Sequence, residues 1–225
     1  MNVRQELGFD TISILDGEYT IYKGKIGNAR KNPLQAVIDS ECVPLDPLEI
    51  IKFYGDCEEG LRGVIFDGLP LLSRYGVEYR GNDVNVVSLV EAYKNRDFPK
   101  SNGVVYTEHP PLIDSTGQPI NTVVGMKHFS LDELAKSKDA RDFMYSISSE
   151  DVEYRSLSNT LESIGIDTLK IGGVNASRKR KHPENSLGAF MVGISARKPN
   201  RTGLVSILHD LLDTSTKCTI IGKRQ

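Results

Sequence analysis

Thr11-Ile12-Ser13-Ile14-Leu15-Asp16-Gly17-Glu18-Tyr19-Thr20-Ile21-Tyr22 is the stretch on which the fold class turns. Two runs rich in β-branched and aromatic residues flank an Asp-Gly pair, the dipeptide best able to take the positive-φ positions of a tight hairpin turn. The expectation is a hairpin with strands at 11–15 and 18–22. Further strands are expected at Thr168–Ile171, Gly188–Ser195 and Lys217–Ile221. Gly188–Ser195 is small and apolar throughout, the pattern of a strand buried on both faces. Leu61–Phe66 reads as a strand entering a turn at Asp67-Gly68-Leu69-Pro70, and 101–118 as loop around a short strand at Val104–Tyr106. Residues 121–126 read as extended.

Helices punctuate these strands. Ser130-Leu131-Asp132-Glu133 is a capping box: the Ser130 hydroxyl serves the first turn and Glu133 reaches back. The helix behind it would present Leu131, Leu134, Ala135, Phe143 and Met144 on one side. Leu157, Leu161 and Ile164 suggest a short helix stopped by Gly165, and Leu204–Leu212 a last one, with His209 half-exposed. Val84–Tyr93 fits a helix by spacing and a strand by its β-branched content. Pro44 and Pro47 make Val43–Leu48 extended or turned rather than helical. The expected architecture is a mainly β chain with several helices (α+β), one domain over 1–225, with 1–50 as an N-terminal arm.

At 39% hydrophobic and 26% charged residues the composition is that of an ordinary globular protein. A net charge of -2 gives no bulk field for polyanions, so any nucleic-acid contact needs a local patch. No run approaches 18 apolar residues, and the opening residues lack the apolar core of a signal peptide, so neither a membrane span nor a leader is expected. Cys42, Cys57 and Cys218 are too few and scattered for a disulfide scaffold, although an odd count permits a bond between subunits. Leu112-Ile113-Asp114-Ser115-Thr116-Gly117 approaches an aspartic-protease pattern, and Val64–Gly68 a phosphatase strand. Both are incomplete, and turn chemistry explains them; an enzyme of unrecognised type would use Asp67 or Asp114. Gly172 to Lys181 is a glycine-rich and then basic loop, an alternative site for a nucleotide or nucleic acid. Within it Arg178-Lys179-Arg180-Lys181 reads as a nuclear import signal or anion patch. His109, His128, His182 and His209 lack metal-ligand spacing, so no metal or cofactor is expected.

Residues 18–48 contain Tyr19 and Tyr22, then Asn28-Ala29-Arg30, then Leu45-Asp46-Pro47-Leu48. This order and spacing resembles the amino-terminal region of the polyhedrin/granulin family, the lattice proteins of insect-virus occlusion bodies. The resemblance implies a non-enzymatic structural protein with a β-sandwich, jelly-roll core and extended arms. It implies trimers that pack into a crystal around virions in the host nucleus and dissolve at alkaline pH, with Arg178–Lys181 as the import signal. Titration of all lysines, tyrosines and cysteines at reference values would take the net charge from -2 to about -29.

Overall fold

The computed structural model describes residues 2–4, 10–14, 18–27, 32–66, 68–80, 83–94, 111–120, 125–134, 136–148, 154–173, 186–212 and 215–224. The hairpin forms as expected: β2 (Asp10–Ile14) runs antiparallel to β3 (Tyr19–Lys25), with Ile14 opposite Tyr19, and β1 (Asn2–Arg4) adds to its outer edge. β3 pairs with β11 (Lys217–Arg224), the expected final strand. The other side of β11 is shared by two partners: β5 (Leu71–Arg80) runs parallel at Leu71 and Leu72, and β4 (Cys42–Pro44) antiparallel beyond. β5 is likewise shared, by β11 and then by β6 (Asp83–Ser88). From β5 the sheet continues through β9 (Ser186–Ser195), β10 (Leu204–Leu211) and β8 (Thr168–Gly173) to β7 (Met126–Ser130).

The expected α+β class is found, with β9 in its expected central place. The jelly-roll arrangement is not: the described strands join one 11-stranded sheet, and helices rather than a second sheet cover its faces. On one face α1 (Pro33–Asp39) and α4 (Leu89–Lys94) bury Leu34, Val37, Leu89 and Ala92 against Leu72, Leu187, Cys218 and Ile220. On the other, α2 (Pro47–Asp56), α6 (Lys138–Ser146) and α7 (Tyr154–Ser163) bury Ile50, Ile51, Phe143, Met144 and Leu161 against Val77, Phe190, Val205 and Ile207. Phe143 meets Phe190 edge-on at 5.8 Å. Each such fully buried side chain stabilises the fold by roughly 1.5–3 kcal/mol, so these amphipathic helices supply the cover that a second sheet would. β3, α1 and the residue that follows β4 contribute Ile21, Leu34 and Leu45 to these cores.

Several local expectations are corrected. Pro47, expected within an extended or turned piece, starts a helix, as Pro33 does, because each sits in the first turn behind a capping Asp46 or Asn32. Leu61–Phe66 is mostly helix, α3 (Glu59–Ile65), held by Arg62, which donates to the Tyr54 and Gly55 carbonyls at the end of α2, both at 2.9 Å. Leu204–Leu212 is strand: Val205, Ile207 and His209 point inward with period two, and pairing on both sides overrides the helical reading. Val84–Tyr93 is both, β6 and then α4. The capping box at Ser130 forms as read, with Glu133 accepting from the Ser130 amide at 2.9 Å, but the helix divides into α5 (Leu131–Leu134) and α6, the latter capped by Ser137. β5 lies where no strand is expected from the sequence. The Asp16-Gly17 turn and Val104–Tyr106 lie outside the described residues.

Two backbone seams depend on glycine. A Cβ on Gly172 (φ 110°) would lie 1.7 Å from the Gly125 carbonyl oxygen, and one on Gly203 would lie 1.8 Å from that of Gly165. Gly172→Ala is therefore expected to lower stability by about 3 kcal/mol in urea unfolding. Gly63→Ala, in the helical part of α3 with open space around it, is expected to raise stability by about 1 kcal/mol.

Candidate functional site at the start of α2

Leu45-Asp46-Pro47-Leu48 is a helix start. The Leu45 amide donates to the Ile221 carbonyl at 3.0 Å, which ties the segment to β11. Asp46 caps α2 by accepting from the Glu49 amide at 2.8 Å, and Glu49 returns the contact by accepting from the Asp46 amide at 2.8 Å. Pro47 presets the first helical φ.

Arg74 closes this arrangement from across the fold. Between Leu72 and Gly76 the register of β5 against β9 shifts, the kind of irregularity that re-aims side chains. At that shift the Arg74 amide donates to the Leu45 carbonyl at 2.9 Å, and its guanidinium reaches Glu49 at 2.8 Å and Asp46 at 3.2 Å. The Asp46 side chain is 6% exposed and that of Arg74 27%. Burial dominates at the deeper group, raising the Asp46 carboxyl above its ordinary range despite the helix amides and Arg74. Burial also opposes the Arg74 charge, but Glu49, Tyr75 and Asp46 outweigh it and hold the cation more firmly.

Beside this clamp lies a cleft of about 240 Å³ lined by Val43, Pro44, Leu45, Glu49, Arg74, Lys223 and Arg224. Lys223 reaches Glu18 at 3.5 Å and stands 5.8 Å above the ring of Tyr19, which packs on Phe53 at 5.0 Å. The structure thus gathers Tyr19 and Leu45–Leu48 at one place. Tyr22 lies on the opposite face of β3, where its hydroxyl donates to Ser40 Oγ at 2.5 Å and lies 3.7 Å from Cys42 Sγ. Asn28, Ala29, Arg30 and the basic run Arg178–Lys181 lie outside the described residues, as does Asp67.

The other candidate residues are dispersed. Asp114 occupies an exposed turn, where amides of Gln118 and Thr116 and the Thr116 hydroxyl hold its carboxyl below the usual range. His209, expected half-exposed, is buried in β10, with Nδ1 2.9 Å from the Tyr79 hydroxyl and its ring edge-on to Phe190. Cys42 and Cys57 are half-buried; Cys218 is fully buried, and burial pushes its thiol up to about 12. Among the described residues no three His, Cys, Asp or Glu side chains are placed to hold a metal ion, and no helix is long and apolar enough to cross a membrane. No family model, curated protein or solved structure matches the chain. The pattern Asp46-x-x-Glu49 made the capping box legible in the sequence; nothing local marked Arg74, Lys223 or Arg224, which arrive from distant strands.

Two outcomes follow from these environments. The folded Asp46 carboxyl titrates above its unfolded value, so this group favours the fold when protonated, and that contribution is lost as pH rises through its folded value. Asp46→Asn, which keeps the cap, is expected to remove this falling component from stability measured upward from about pH 4. Arg74→Ala, which leaves Asp46 buried without its cation, is expected to cost about 3 kcal/mol in the same assay. The Cys218 thiol favours the fold below the ordinary thiol value, and that stability is lost as pH rises toward 12. Wild type is expected to lose about 4 kcal/mol from this source between pH 9 and 12, a slope that Cys218→Ala lacks.

Proposed function

We propose that this chain is a non-catalytic structural protein that acts by associating with copies of itself, in the manner of an occlusion-body matrix protein. The observation that carries this reading is the gathering of Tyr19 and Leu45–Leu48, five of the nine polyhedrin/granulin-like residues, beside one surface cleft that Leu45 lines together with Arg74, Lys223 and Arg224. In this reading the chain packs as trimers into a lattice around virions in the host nucleus, imported through Arg178–Lys181. Cys42 and Cys57, being half-exposed, are the thiols suited to bonds between subunits; Cys218 requires the core to open first.

Alkaline release keeps its sign but changes its source. Burial raises the phenols of Tyr19, Tyr22, Tyr79 and Tyr93, and the thiols of Cys57 and Cys218. These groups do not all discharge together at reference values, so the fall toward -29 is incomplete at pH 11. Surface lysine contacts between subunits then carry most of the release.

Expression of the chain alone, followed by microscopy and powder diffraction of the cells, tests the reading. Intracellular crystals that dissolve between about pH 10 and 11 are expected from the ordinary lysine range. A protein that stays monomeric at every concentration overturns it.

A further inference from the structure

α2 starts on its capping carboxylates Asp46 and Glu49 but ends on acidic residues, the unfavourable sign for a helix C-terminus. A helix N-terminus disfavours cations and a C-terminus disfavours anions. Yet the cleft at the start of α2 is lined by Arg74, Lys223 and Arg224 against a single carboxylate, Glu49. The carboxylates of Glu49 and the neighbouring Asp46 are occupied with Arg74, and that of Glu18 pairs with Lys223. Among the described residues the guanidinium of Arg224 forms no ion pair.

At the other end, Asp56 closes α2, and Glu58 and Glu59 follow at once, all three exposed. None of them forms an ion pair among the described residues. Arg62 is committed to the Tyr54 and Gly55 carbonyls and to the face of the Tyr54 ring at 4.9 Å. Lys52, one turn before Asp56, makes no ion pair with it.

The ten residues of α2 hold these two clusters about 15 Å apart. They cannot meet within one molecule, but they can meet between two. We propose that the cleft at the start of α2 receives the acidic turn Asp56–Glu59 of a second copy of this chain, with Lys223 and Arg224 taking its carboxylates. This contact rests on the self-association reading and gives it a geometry. It joins two different patches, so each added copy presents a fresh cleft and a fresh acidic turn, and the assembly is open-ended rather than a closed pair. Both clusters are solvent-exposed, so the attraction is long-ranged at low salt and screened at high salt.

Complementary charge reversal tests it on the full chain, by sedimentation in low salt. One variant carries Glu58→Lys and Glu59→Lys; the other carries Lys223→Glu and Arg224→Glu. Wild type is expected to associate, and to do so at least tenfold more weakly in 0.5 M salt. Each variant alone is expected to remain monomeric, while an equimolar mixture regains association, because each cleft then meets a turn of opposite sign. That recovery also shows that both variants are folded. If both variants associate as wild type does, or if the mixture stays monomeric, this contact is overturned while self-association by another surface stands. If wild type itself is monomeric, the self-association reading falls and the contact with it.

Discussion

The rest of the structure depends on β11 lying between β3 and β5. Its ladder to β3 runs from Lys217 to Lys223, and its other edge holds β5 at Thr219 and Ile220 and β4 from Gly222 onward. Among the described strands it alone joins the N-terminal hairpin by strand pairing to the β5–β9–β10–β8–β7 half of the sheet. Cys218 and Ile220 face one core and Ile221 the other, so the strand also divides the two apolar layers. Pairing residue 20 with residue 222 requires a loop of nearly the whole chain to close first. The topology is thus one of high contact order, and slow folding follows from the entropy of that closure.

The clamp at α2 extends the same dependence to the surface. Leu45 is held by β11 through its amide and by β5 through its carbonyl, so the helix start is fixed only once both strands are in place. The Leu-Asp-Pro-Leu quartet has a local role of its own, as a capped and proline-initiated helix start. What distinguishes this chain is what surrounds the quartet: Tyr19 and the cations brought by β5 and β11. The cations at the start of α2 are then a property of the tertiary fold, while the carboxylates at both ends belong to the local sequence.

Much of the strand content was legible because it obeyed simple rules. The hairpin at Asp16-Gly17, the buried run of β9 and the final strand all carried period-two or turn signals. The capping box at Ser130 and the stop at Gly165 (φ 74°) were equally local. Two of the failures share one cause, which is that a distant partner decides the outcome. β10 has apolar residues at both helical and strand spacings, and only β8 and β9 on either side select the strand. α3 exists because Arg62 finds the end of α2. Pro47 suggests a break when taken alone, although Asp46-Pro47, like Asn32-Pro33, is a cap-and-start pair that the sequence already displays. Of the candidate site, the capping carboxylates were readable from spacing, whereas Arg74 depends on a shift in strand register that no short window records.

The glycine seams bear on how such a chain can change over generations. Gly172 abuts the Gly125 carbonyl and Gly203 that of Gly165, while Gly125 and Gly165 themselves hold positive φ. A Cβ finds no room at Gly172 and Gly203 and a strained backbone at Gly125 and Gly165. Inheritance at these positions is therefore constrained by geometry alone, whatever the protein is selected to do. Exposed positions such as Gly60 and Gly63, which meet nothing, are free to drift. Diverged descendants would keep these four glycines long after surface motifs, including those at the ends of α2, had been rewritten.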